Sequence, residues 1–185
     1  MRVLVACEFS GVVRNAFSVL GHDAWSCDFL TSETEGKHIQ GNVLDILDNG
    51  WDLMIAHPPC TYLAVSGARW FSDRRKEQEE ALEFVRVLLN SQISQVCVEN
   101  PVSIISTKIR KPDQIIQPWQ FGCGETKATC LWLKNLPPLM CTVIDQGRFP
   151  RVHREPPGPE RWKNRSRFYP EIARAMAEQW GGLIG

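Results

Sequence analysis

Residues 2–7 (RVLVAC), then Glu8-Phe9-Ser10-Gly11, then residues 12–21 (VVRNAFSVLG) are the stretch on which the fold turns. A short β-branched apolar run reads as a strand, the glycine as a turn, and the apolar spacing that follows as a helix stopped by Gly21. Strand, glycine turn and helix together open an α/β fold. Further strands read at residues 24–29 (AWSCDF), 52–56 (DLMIA) and 95–98 (QVCV), each ending where polar or Pro-rich sequence begins. Residues 73–90 predict a charged amphipathic helix. Residues 169–180 (YPEIARAMAEQW) predict another, with Pro170 in its first turn and Gly181-Gly182 as its stop. Such alternation implies a mostly parallel sheet covered on both faces, with ligands bound beyond the carboxyl ends of its strands.

A chain of 185 residues suits one domain, residues 1–185, with one site. No apolar run approaches a membrane span and no signal segment opens the chain, so the expected location is the cytoplasm. Seven cysteines without a C-x-x-C pair fit neither a disulfide framework nor a zinc ribbon, and the four histidines add no ligand spacing; no metal is expected. The formal net charge is zero. Residues 148–167 nevertheless hold seven basic side chains against Glu155 and Glu160, which suits a phosphate-binding patch or a solvated loop equally. They belong to a Pro/Arg-rich segment, 137–168, whose stretch 149–159 is expected to hold no regular helix.

The distinctive residues gather at the expected carboxyl rim. Phe9, Ser10 and Gly11 follow the first strand, where a doubly wound fold holds a cofactor; the G-x-G-x-x-G pattern of dinucleotide sites is missing. Asp28, near the end of the second strand, could accept bonds from ribose hydroxyls or serve as a turn former. In His57-Pro58-Pro59-Cys60, two prolines present the thiol rigidly at a strand end, as a nucleophile needs. Glu99 ends the neighbouring strand, where an acid could protonate a heterocycle.

Phe9-x-Gly11, residues 52–56 leading into Pro58-Pro59-Cys60, and Glu99-Asn100 resemble, in order and spacing, the cytosine-C5 DNA methyltransferase family, and the chain looks like a compact, phage-type member over most of its length. The resemblance implies a single Rossmann-like class I S-adenosylmethionine-dependent methyltransferase domain in a bacterial or phage-infected cell. It implies that Phe9, Ser10, Gly11 and Pro58 hold S-adenosylmethionine, with Asp28 at its ribose and Asn42 where the family has an aspartate near the adenine. Cys60 would attack C6 of a cytosine and Glu99 would engage N3. A base in duplex DNA would first be flipped out.

Thr61, Leu63 and Ala64 depart from the residues the family carries after the cysteine. Residues 125–129 (ETKAT) only partly match its Gln-x-Arg-x-Arg pattern. Residues 166–173 (SRFYPEIA) resemble its last motif without the glycine and asparagine. About thirty-five residues between Thr129 and Arg165 leave no room for a recognition domain, so phosphate contacts from the 148–167 stretch, Arg151 and Arg165 among them, from Lys127, and from Arg69, Arg74, Arg75 and Lys76 would position DNA, and a partner chain could supply specificity. Three other readings remain open: C5 chemistry on a free pyrimidine nucleotide, a catalytically silent DNA- or cofactor-binding homologue, and an exocyclic-amine methyltransferase.

Overall fold

A computed structural model describes residues 1–144, 147–159 and 161–182. In it β1 (Arg2–Ala6), β2 (Asp23–Asp28), β3 (His38–Gln40), β4 (Leu53–Ala56), β5 (Gln95–Pro101), β6 (Gln114–Ile116) and β7 (Thr129–Lys134) form one sheet in the order β3-β2-β1-β4-β5-β7-β6. The pairs from β3 through β5 are all parallel, and β7 runs antiparallel to both β5 and β6. The order reverses between β1 and β4, which opens a crevice at their carboxyl ends. The helices are α1 (Val12–Val19), α2 (Arg75–Asn90), α3 (Ile105–Lys108), α4 (Arg151–Arg154), α5 (Arg161–Ser166) and α6 (Pro170–Trp180). None among the described residues is long and apolar enough to cross a membrane.

Both faces of the sheet are covered at its centre, which is why β1 beyond Arg2 and β4 are apolar throughout instead of alternating, whereas β2 and the edge strand β3 carry polar residues. On one face α1 and α6 bring Phe17, Ile172, Met176 and Trp180 onto Val3, Val5 and Ile55. On the other, Leu82, Val85 and Leu88 of α2 pack on Leu4, Met54 and Val98, with Trp132 of β7. Each such side chain contributes about 1.5–3 kcal/mol by leaving water.

Strand β5 runs three residues beyond the stretch 95–98 expected from sequence. Its parallel partner β4 stops at the pair Ala56 with Val98, but β7 continues to pair Glu99 with Leu131, Asn100 with Cys130 and Pro101 with Thr129. Glu99 therefore stands on strand backbone past the edge of the parallel sheet, held from one side only. The stretch 149–159 also departs from expectation, because Arg151–Arg154 forms one helical turn. Pro150 directly precedes it, where a missing N–H costs nothing, and Pro156, Pro157 and Pro159 stop it.

Candidate functional site

The turn after β1 is built around a buried carboxylate. Glu8 is 4% exposed; its Oε1 accepts from the Val13 amide at 2.7 Å and its Oε2 from the Arg14 amide at 3.2 Å, while the Ser10 hydroxyl donates to Oε1 at 3.3 Å. These bonds satisfy amides that the first turn of α1 would otherwise leave open. A fixed negative charge thus occupies the end of the helix where phosphates ordinarily bind. Gly11 has φ +73°, and a Cβ there would run into Thr34 Oγ1 and Arg14 Nη2, so the glycine has a reason internal to the chain. Gly11→Ala is expected to lose more than the roughly 1–3 kcal/mol of a strained backbone position, visible as a lower urea midpoint with the slope unchanged.

Arg14, wholly buried, holds the loop of residues 29–37 against this turn. Its guanidinium donates to Ser26 Oγ and Ser32 Oγ (both 3.1 Å), to Thr34 Oγ1 (2.7 Å) and Thr34 O (3.2 Å), to Glu35 O (2.8 Å) and to Asn15 Oδ1 (3.0 Å). Along the same rim Asp28 Oδ1 accepts from the Leu30 amide at 2.9 Å, and Gly41 N donates to Asp28 O at 2.9 Å. That bond sets Asn42 beside the end of β2, where its Oδ1 accepts from the Leu44 amide at 3.1 Å. Phe9 lies half-buried under Lys163, whose Nζ is 5.7 Å from the ring centroid. Lys163 and Arg167 both pair with Glu33, at 2.6 and 3.2 Å, and so bind the C-terminal segment to the 29–37 loop.

At the reversal of strand order, the Pro58-Pro59-Cys60 turn leaves β4 and is tied to β5. Asn100 Nδ2 donates to Pro58 O at 2.9 Å. Beyond the cysteine, Val65 N donates to Val102 O and Ile104 N to Leu63 O. Cys60 is exposed. Local burial and then Glu99 push its thiol above the ordinary value, while Lys127, a backbone bond and Arg165 pull it down. Glu99 is 8% exposed, and its Oε2 lies 3.0 Å from His57 Nδ1. His57 Nε2 is buried without a protein partner, and the ring of Phe168 stands 4.8 Å from the imidazole.

Pro58, Cys60, Glu99, Lys127 and Arg165 therefore share one neighbourhood, and Phe9, Ser10, Gly11, Asp28 and Asn42 lie along the ends of β1 to β3. Arg69 sits apart, in the 3₁₀ segment Val65–Asp73. Arg151 is held within the chain by Glu125 at 2.6 Å and Glu155 at 3.9 Å, and Glu125 also accepts from the Tyr169 hydroxyl at 2.8 Å. Lys127 Nζ donates to Arg165 O at 3.1 Å. Much of the basic character of residues 148–167 thus fastens that segment to the body. Sequence reading gave no role to His57, Glu8 or Arg14. An acid just before a helix start was the one available signal for Glu8; the pairing of His57 with Glu99 is a tertiary fact.

A solved structure described as a candidate DNA modification methyltransferase, encoded within a prophage of E. coli, is similar to this chain with a TM-score of 0.51 and 15% identity. The match covers 78% of this chain and 52% of that one, so the chain spans about half the length of that structure. At such identity the likeness is one of fold. No known family profile and no curated protein matches the sequence.

Proposed function

We propose that this chain transfers a methyl group from S-adenosylmethionine to C5 of cytosine in DNA, with Cys60 as the nucleophile. The observation that carries the reading is the meeting of Cys60 and Glu99 at the ends of two adjacent parallel strands, with Lys127 and Arg165 close enough to stabilise a thiolate. The Rossmann-like strand order, reversed beside this pair, and the methyltransferase-like fold support it.

The cofactor fits the other half of the rim by charge. A pyrophosphate at the start of α1 would face the Glu8 carboxylate, whereas S-adenosylmethionine carries no phosphate and a positive sulfonium. Phe9, Ser10, Gly11 and Pro58 would hold it, with Asp28 at the ribose and Asn42 at the adenine. When bound, it supplies an electrophilic methyl group.

The chain's own groups do the rest. Cys60 Sγ, as thiolate, bonds to C6 of the extruded cytosine, and the displaced electron pair moves to C5, which takes the methyl. Glu99, acting as an acid, donates its proton in a hydrogen bond to N3 and so stabilises the negative charge that collects there. A water molecule then takes the C5 proton, the C5–H pair restores the ring double bond, and Cys60 leaves as thiolate. His57 fixes Glu99 by holding Oε2, which leaves Oε1 for the base. His57→Ala is expected to lower kcat by about 100-fold, the scale of an ångström of misplacement, with the KM for S-adenosylmethionine unchanged; His57→Asn, which can still donate to Glu99, restores most of it. Equal loss in both variants would remove His57 from the reaction.

DNA is held chiefly by phosphate contacts, since only about thirty-five residues separate Thr129 from Arg165, which predicts short sequence specificity or a partner chain that adds it. The test is incubation with labelled S-adenosylmethionine and DNA containing 5-fluorocytosine. A covalent, labelled protein–DNA complex is expected, because fluorine blocks the final elimination. Absence of a complex on DNA together with methylation of deoxycytidine monophosphate would transfer the chemistry to a free nucleotide.

A further inference from the structure

The segment that follows Cys60 encloses a cleft that the reaction just described does not use. Thr61, Tyr62, Gly67, Phe71, Arg74 and Gln78 line it, around a volume of about 260 Å³. Tyr62 and Phe71 are half-buried. The Arg74 guanidinium lies 5.6 Å from the Tyr62 ring centroid, and Gln78 Nε2 fixes the turn by donating to Tyr62 O at 3.1 Å. Residues 69–76 bring Arg69, Arg74, Arg75 and Lys76 against Asp73 to this side, while α2 continues with Glu77, Glu79 and Glu80 and pairs Glu80 with Lys76 at 4.0 Å, so that among the residues lining the cleft Arg74 supplies the cation.

We infer that this cleft seats an unpaired nucleobase adjacent in the strand to the target cytosine, stacked against Tyr62 and Phe71 with its phosphate beside Arg74. The inference rests on the reading that Cys60 addresses a base in a nucleic-acid strand. Three features favour such an occupant. Two aromatic rings and an arginine lining one cleft are a combination that holds single-stranded nucleic acid, since every base presents a π face and the arginine can meet a phosphate. Tyr62 is two residues from Cys60, so the cleft opens within about 7 Å of the nucleophile along the backbone, the order of one nucleotide step. A base inside a duplex has both faces covered by its neighbours and cannot enter; one next to an extruded cytosine, or in a single strand, can.

The experiment uses thymine oligonucleotides carrying one cytosine, with 2-aminopurine placed immediately 5′ or immediately 3′ of it, titrated with the protein without cofactor. Stacking is expected to quench the fluorescence at one of the two positions. Tyr62→Ala and Phe71→Ala should abolish the quench and weaken binding about 5- to 150-fold each, whereas Tyr62→Phe keeps both. Arg74→Ala should lower the slope of log Kd against log salt by about 0.7, the share of one phosphate on a single strand. Thermal melts establish that each variant is folded; if Phe71→Ala is not, the two Tyr62 variants decide alone. Unchanged fluorescence at both positions, or wild-type affinity in Tyr62→Ala, overturns the inference. Methyl transfer to DNA without any quench would sink the cleft and leave the proposed function standing; a quench without methyl transfer to any DNA would do the reverse.

Discussion

Cys60→Ser is expected to keep the fold and the affinity for S-adenosylmethionine while losing both the covalent 5-fluorocytosine complex and methyl transfer. The thiol is exposed, so exchanging sulfur for oxygen leaves no cavity and should change stability by no more than about 0.5 kcal/mol. A serine hydroxyl is a far weaker nucleophile without an adjacent base. Because burial and Glu99 raise the Cys60 pKa, the thiol form dominates at neutral pH. The thiolate fraction, and with it the trapping rate, should climb as pH rises. Lys127→Met removes a cation that lowers this pKa, so it should slow trapping at neutral pH and move the rise to higher pH. A flat profile in both proteins would show that thiolate formation does not limit the step. Full methyl transfer by Cys60→Ser would point to an exocyclic amine as the acceptor.

The second large effect falls on stability. Arg14→Met should cost about 3–5 kcal/mol, the penalty for removing one member of a buried charged network. Six hydrogen bonds lose their donor, and the Glu8 carboxylate, whose charge favours the Arg14 guanidinium, keeps its burial without that neighbouring cation. For a chain of this size that is a fall in Tm of about 6–20 °C. The 29–37 loop rests on the same network, so cofactor affinity measured well below Tm should fall too, whereas the affinity for single-stranded oligonucleotides should hold. A melt within a degree or two of the original would mean that water takes over the role of the guanidinium.

The strands β1, β2, β4 and β5 were legible as short runs with clear polar boundaries, and the helices 12–20, 73–90 and 169–180 from spacing, whereas the parallel edge strand β3, three residues with a single apolar side chain, was not. The sequence also singled out Cys60 and Glu99, by the prolines before one and the strand end at the other, and the fold brings the two together. The extension of β5 through Pro101 was not legible, because it depends on β7, whose residues 129–134 (TCLWLK) carry no turn signal of their own on the partner they choose. The internal pairing of the cations in residues 148–167 was illegible for a related reason. Composition counts cations, but only tertiary structure reveals that Glu33 and Glu125 meet Lys163, Arg167 and Arg151.

The bond between Arg167 and Glu33 joins positions 134 apart in the chain. Closing so long a loop carries a large entropic cost before any contact offsets it, so the mouth over Phe9 should be among the last parts to form. The partly exposed ion pairs that secure it contribute only about 0.2–1 kcal/mol each, far less than the sheet and its two apolar cores. The closure, which the Glu33 amide also ties to Phe9 O at 2.8 Å, is therefore expected to open without global unfolding, so that a folded molecule exchanges what lies beneath it at a rate quickened by salt.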